Sequence, residues 1–178
     1  IPSVNLSALE QEIAKRAYLW SDLLLDKLVQ KLGEKKAHLL HRAYAHAFPQ
    51  GYINRYDTSA ACHDISKAEA AMASGQLALE LYQRKDEPGF CHLKIYNPNQ
   101  EIALSDILPI LEHAGFRVIE EQPFLLDPKD TPARIWIRDF KLQLPAAVAG
   151  LLRVTLEASA QPGVLSAAIP AALQDVNV

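Results

Sequence analysis

Apolar residues recur every three or four positions as far as Met72, and every second position from Leu77 onward. The first spacing lays apolar groups along one face of an α-helix; the second lays them on one face of a β-strand. A chain that changes period once, part-way along, is expected to be α+β, with its helices and its sheet in separate stretches. The spacing predicts a helical segment over 1–75, a sheet-bearing domain over 76–170 and a short tail over 171–178.

In the helical half, Ser7 and Glu10 stand three apart as a capping box. Ile13, Ala17, Trp20, Leu24 and Leu28 follow on one helical face, and Gly33 is a natural C-terminal cap. A helix of about 26 residues, roughly 39 Å long, is too long for a small isolated core and is expected to pack on more than its nearest neighbours. A second helix is predicted from Glu34 to Phe48, striped by Ala37, Leu40, Tyr44 and Phe48, and ended by Pro49-Gln50-Gly51. A third begins at Asp57 or Thr58, carries Ala61, Ile65, Ala68 and Met72 inward, and stops at Ser74-Gly75.

In the second half, Leu77 to Tyr82 alternates and is a candidate strand. Cys91 to Tyr96 sets Leu93 and Ile95 against His92 and Lys94, which predicts a strand with one buried face. Asn97-Pro98-Asn99-Gln100 is a turn. Asp106 caps a short helix with Pro109 at its third position, and Gly115 closes it. Phe116 to Glu121 is the next strand, confined by Pro123 to an edge or an end. Arg134 to Leu144 gives the longest strand signal, with Trp136, Phe140, Leu142 and Leu144 on one face and Ile135 and Ile137 opening the other. Ala146 to Ala158 supplies a further helix and Val164 to Ile169 a last strand. The sum is βαββαβ, the ferredoxin-like plan with both helices on one sheet face.

Composition removes several function classes. The seven glycines lie far apart; the nearest two, Gly150 and Gly163, are 163 − 150 = 13 positions apart. Gly-rich phosphate turns need glycines two to five apart, which argues against a self-contained dehydrogenase or kinase. A net charge of −3 argues against a general nucleic-acid binder. Two cysteines make no disulfide framework, which points to a reducing, cytoplasmic setting. No apolar run suffices to span a bilayer, and no signal peptide opens the chain. A first residue of Ile1 instead of Met suggests a chain processed, trimmed or cut from something longer.

Few residues invite chemistry. Cys62-His63 and Cys91-His92 have the composition of a zinc quartet, but adjacent residues diverge on a helix and face opposite sides of a strand; buried free thiols are the plainer reading. His38 and His41 have chelating spacing without a matching carboxylate, and with His46 they suit a solvated or partly buried helix face. No G-x-S-x-G stands in the chain, and Asp57, Asp64, Glu69 and Glu120-Glu121 are spaced as caps and surface charges. Trp136 between Arg134 and Arg138 is either a base-stacking platform or a core Trp flanked by edge cations, and the net charge favours the second. The loop before the short helix holds the best ligand candidates, Asn97, Asn99, Gln100, Ser105 and Asp106. A strand–helix junction there offers free N–H groups to a small anionic or amino-acid ligand, and the competing reading is a plain turn.

Leu104-Ser105-Asp106-Ile107-Leu108-Pro109-Ile110-Leu111-Glu112, then Gly115-Phe116-Arg117-Val118-Ile119-Glu120-Glu121-Gln122-Pro123-Phe124 and Ile135-Trp136-Ile137-Arg138-Asp139-Phe140, resemble the non-catalytic N-terminal portion of the large bacterial NAD-specific glutamate dehydrogenases. Trp20-Ser21-Asp22-Leu23-Leu24 and Tyr44-Ala45-His46-Ala47-Phe48-Pro49-Gln50-Gly51-Tyr52 are similar too. The resemblance runs from about Leu6 to Leu144 and rests on packing and turn motifs. It implies ACT-like modules, a ferredoxin-like type that commonly senses amino acids, inside a much larger enzyme that converts L-glutamate to 2-oxoglutarate with NAD. The family's catalytic lysines and nucleotide-binding fold lie outside the matched stretch. The resemblance therefore implies no catalytic, cofactor-binding or metal residue here, with NAD serving the parent enzyme. After Pro145 the sequence departs from the family, and the loop before the short helix lacks the glycine common in amino-acid-sensing modules.

The expectation is thus a regulatory or assembly segment of an oligomeric, cytoplasmic oxidoreductase. Its partners would be the remainder of the parent polypeptide, further copies in a homo-oligomer and an amino-acid effector, with neither nucleic acid nor membrane among them. The alternative is a stand-alone module that binds a small ligand or RNA; a small hydrolase or metal enzyme is a third class.

Overall fold

A computed structural model describes residues 6–84 and 86–143. These residues fall into two compact units: residues up to Lys67 together with Leu125–Arg134, and Ala68–Phe124 together with the chain from Ile135.

The first unit is helical. Helix α1 (Leu6–Leu32) and helix α2 (Glu34–Tyr44) pack together across a break at Gly33, whose φ of 78° suits a residue without a Cβ. Trp20, Leu24 and Leu28 are buried as the periodicity predicts. Ile13, on the same stripe, is 42% exposed, and Leu19 and Leu23 beside it are exposed as well. Helix α2 ends at Tyr44, earlier than predicted, and the chain leaves it through a tighter turn in which the Ala47 N–H donates to the Tyr44 carbonyl at 3.0 Å. Pro49 then caps a short helix that the sequence reading missed, α3 (Gln50–Arg55). An aromatic column holds these pieces together: Trp20 meets Phe48 edge-on at 5.2 Å, and Phe48–Tyr52 and Tyr52–Tyr56 follow at 4.6 Å each. Helix α4 (Thr58–Ser74) starts where Asp57 accepts the Ala60 N–H at 2.8 Å and stops at Gly75, φ 68°; its residues as far as Lys67 belong to this unit and those from Ala68 to the second. Within this unit the Tyr52 hydroxyl donates to the buried Asp64 at 2.5 Å.

The second unit is a four-stranded sheet with order β1-β2-β4-β3, formed by β1 (Ala78–Tyr82), β2 (Phe90–Pro98), β3 (Arg117–Leu126) and β4 (Ile135–Gln143). Helix α5 (Leu104–His113) joins β2 to β3, and β4 lies between those two strands. That is the split βαβ unit the sequence predicts. On the other side of β2, the edge that a βαββαβ plan reserves for its last strand is held by β1, antiparallel to β2. The predicted helix over 146–158, the strand over 164–169 and the tail over 171–178 lie outside the described residues.

One face of the sheet packs Leu93, Ile95, Phe140 and Leu142 against Ile107 and Leu111 of α5, with Ile102 and Phe116 closing the ends. Burying side chains of this size contributes about 1.5–3 kcal/mol each. The α5 ends differ in how they are made. Its first residue is Leu104, capped by Ala103, so Asp106 sits in the first turn and Pro109 lies inside the helix, not at the third position as predicted. Pro109 cannot donate to the Ser105 carbonyl, and its exposed position leaves that group to solvent. At the other end Gly115, φ 84°, donates to Glu112 O and Phe116 to Leu111 O, both at 2.9 Å, which is a complete Schellman motif. Pro123 sits in β3, which is an edge strand, as its missing N–H requires.

Candidate functional site

The loop residues singled out in the sequence divide into two small groups. Asn97 is buried, and its Nδ2 donates to the Gln100 carbonyl at 2.8 Å, closing the turn. Asn99 takes φ 68°, the left-handed region that Asn tolerates, and with Gln100 it is exposed. Ser105 and Asp106, also exposed, face each other at 3.3 Å on the first turn of α5. Asp106 supplies that helix N-terminus with an anion of its own. Between the groups, Glu101 turns to Arg138 of β4, whose Nη2 lies 2.5 Å away, while Nη1 of Arg138 donates to Glu121 of β3. Arg138 is thus buried in an ion-paired position on a central strand and is no edge cation, contrary to the sequence reading; Trp136 is half-buried and Arg134 pairs with Asp127 at 3.3 Å.

Polar chemistry gathers instead on the sheet face opposite α5, which the alternation of His92 and Lys94 had marked as solvated. Register stacks three rungs there. Ala78, Tyr96 and Ile137 are level; next come Glu80, Lys94 and Asp139; then Tyr82, His92 and Lys141. His92, Lys94, Tyr96 and Asp139 are all buried, so β2 is covered on both faces. The reason it tolerates this is pairing, because a buried charge without a partner is expensive. The Tyr96 hydroxyl donates to Glu80 at 3.0 Å, and the Tyr82 hydroxyl reaches past β2 to Asp139 at 2.5 Å. The His92 ring stacks on Tyr82 with centroids 5.0 Å apart, its Nε2 2.8 Å from Glu87 and its Nδ1 3.6 Å from Asp139. Lys141 donates to Glu87 at 2.7 Å and lies over the Phe90 ring, while Lys94 lies 5.5 Å from the centre of Tyr82.

The electrostatics follow from these contacts. The Lys141 ammonium and the His92 ring beside it hold the Glu87 carboxyl below the usual carboxylate range. Burial pushes the Cys91 thiol up to about 12, and burial raises Cys62 as well. Both cysteines are free and buried. His41, one of the spaced pair, has its Nε2 3.0 Å from both Oγ and the carbonyl oxygen of Ser21, fastening α2 to α1; His38 is exposed. Among the described residues no group of three or more His, Cys, Asp and Glu side chains is arranged for a metal ion, and no helix is long and apolar enough to cross a membrane.

Comparison with known proteins places this geometry. Residues 76–159 match the family model of the glutamate dehydrogenase ACT3 domain, and residues 27–71 match that of glutamate dehydrogenase helical motif 2. The chain belongs to the glutamate dehydrogenase family. Helical motif 2 begins within α1 and takes in α2, α3 and most of α4; the ACT3 domain opens just ahead of β1, so this strand is part of it. The match runs to residue 159, so the likeness to the family continues past Pro145, where the sequence reading had ended it. Among curated relatives, the NAD-specific glutamate dehydrogenase of Halomonas elongata is 34% identical over 78% of this chain. Those of Pseudomonas aeruginosa and Mycobacterium tuberculosis are 30% and 26% identical over 77% and 80% of it. The chain spans only 9%, 8% and 8% of the lengths of these three proteins.

Proposed function

We propose that this chain is a non-catalytic regulatory or assembly segment of a large NAD-dependent glutamate dehydrogenase, which converts L-glutamate and NAD to 2-oxoglutarate and ammonium. The observation that carries the reading is the commitment of the ACT3 sheet's ionisable groups to one another: Glu80 is paired with Tyr96 across β1 and β2, His92 lies beside Asp139, and Glu87, in the connection between β1 and β2, is paired with His92 and Lys141. A general acid or base must be within reach of substrate, whereas these groups reach each other. The small share of the relatives' length agrees, since most of such an enzyme stands elsewhere.

In this reading the segment's partners are the remainder of the parent polypeptide and further copies of it in a homo-oligomer, all in the cytoplasm. The exposed Ile13, Leu19 and Leu23 of α1, and Leu39 of α2, are the apolar groups such contacts would cover. An amino-acid effector at the loop of Asn97, Asn99, Gln100, Ser105 and Asp106 is part of the same proposal. It would regulate only by binding two enzyme states with different affinity. The test uses the chain with glutamate and NAD. No NADH is expected, and NADH formation would overturn the reading. Calorimetry with glutamate, aspartate and other amino acids separates the two roles: heat abolished by Asp106→Ala supports sensing, and its absence leaves assembly.

A further inference from the structure

Strands β3 and β4 are neighbours in the sheet, yet no tight hairpin joins them. The connecting residues belong to the helical unit, so the chain leaves the sheet unit after Phe124 and returns to it at Ile135. Within the helical unit this segment finishes α2. The Lys129 N–H donates to the Ala43 carbonyl at 2.9 Å, one of the last four acceptors that a helix cannot satisfy itself. The Asp127 N–H donates to the Ala47 carbonyl at 3.3 Å in the turn that follows. Arg42 clasps Asp130 through Nε and Nη2, at 2.9 and 2.8 Å from the same Oδ2. Asp130 has φ 64°, a left-handed bend that Asp accepts more readily than most residues.

We propose that residues 125–134 form a strap that couples the two units, so that the β3–β4 pair and the end of α2 hold or fail together. The inference stands apart from the glutamate dehydrogenase reading. Its basis is that the segment's ordering is repaid on α2 while its two ends are fixed by β3 and β4. A loosened sheet frees the strap and uncaps α2; a frayed α2 leaves a long floppy link between two strands that must pair, which costs closure entropy. The Arg42–Asp130 pair is well exposed and contributes little, so the backbone bonds carry the coupling.

The two tryptophans allow a direct test, since Trp20 lies in the helical unit and Trp136 in the sheet unit. Trp136→Phe leaves the first as reporter and Trp20→Phe leaves the second. Urea unfolding of the two variants is expected to give coincident midpoints. Inserting a flexible run of six Gly and Ser residues between Thr131 and Pro132 in both is expected to separate the midpoints by roughly 1 M or more. Lys129→Pro, which deletes the amide that caps Ala43, provides a second perturbation with the same readout should the insertion prevent folding. Midpoints that already differ with the native strap, or that stay together once it is lengthened or uncapped, would overturn the proposal.

Discussion

Tyr82 and Asp139 are joined by a 2.5 Å hydrogen bond although their strands, β1 and β4, are not neighbours. The phenol lies along the face of β2, stacked on His92, and its hydroxyl donates a hydrogen bond to a carboxylate beyond it. A hydrogen bond to a buried charged group contributes about 1.5–3 kcal/mol, and losing the donor leaves Asp139 under-solvated. Tyr82→Phe is therefore expected to lower stability by about 2 kcal/mol while keeping the far-UV circular dichroism of the native chain. Urea denaturation checks this, with Leu81→Ile as a control for general disturbance of the edge strand. A change below about 0.5 kcal/mol would show that the bond contributes nothing to holding β1 in the sheet.

Glu87 gives the sheet an acid limb in its pH dependence. Its carboxyl is held below the ordinary value of 4.5 by Lys141 and His92 in the folded chain. A depressed folded value means that the unfolded chain takes up the proton first as pH falls. The stabilisation is then fully present above the unfolded value and is lost as pH drops from there through the folded one. Glu87→Gln is expected to destabilise the chain at pH 7 and to make progressively less difference below about pH 4.5. Denaturation midpoints of the two proteins across that range should converge on acidification. Parallel curves would mean that the ion pairs to Glu87 do not depend on its charge.

Much of the framework was readable in the chain because single residues carry strong local rules. Gly33, Gly75 and Gly115 each adopt positive φ where a helix ends, and Pro123 falls on an edge strand. Leu93, Ile95, Phe140 and Leu142 share the core face that alternation assigned to them. The polar face was not readable. Alternation says only that His92 and Lys94 oppose Leu93 and Ile95; it does not say that register sets Lys94 between Glu80 and Asp139, which makes burial tolerable. Helix α3 was hidden for another reason. Pro49, which by itself signals only a break, is the N-cap of this helix, and six residues are too few to show a period. The edge place of β1 depends on strand order, which no local pattern encodes.

The buried cysteines lead to a chemical expectation. With its thiol pushed up to about 12, Cys91 forms almost no thiolate at pH 8, and Cys62 is shifted in the same direction by its own burial. Thiolate is the reacting species, so an aromatic disulfide reagent should modify native Cys91 roughly a thousandfold more slowly than a free thiol of ordinary acidity. Both thiols should react at once in guanidinium. Rapid labelling of one cysteine in the native chain, located by mass spectrometry, would show that its segment opens readily in solution.

Arg138 separates two kinds of carboxylate partner. Its side chain is 10% exposed, that of Glu121 is 17% exposed and that of Glu101 is 46% exposed. Removing the guanidinium leaves Glu121 charged in a confined place, the situation in which a broken buried pair costs about 3–5 kcal/mol. Glu101 by contrast can turn to water, and a pair with an exposed member contributes under about 1 kcal/mol. The order of destabilisation is thus expected to be Arg138→Met first, Glu121→Gln second and Glu101→Gln least. If Glu101→Gln proves as damaging as Arg138→Met, the loop before α5 depends on that carboxylate far more than its exposure allows. Should the double variant Arg138→Met with Glu121→Gln recover part of the lost stability, the cost of Arg138→Met is traced to the stranded charge and not to lost packing.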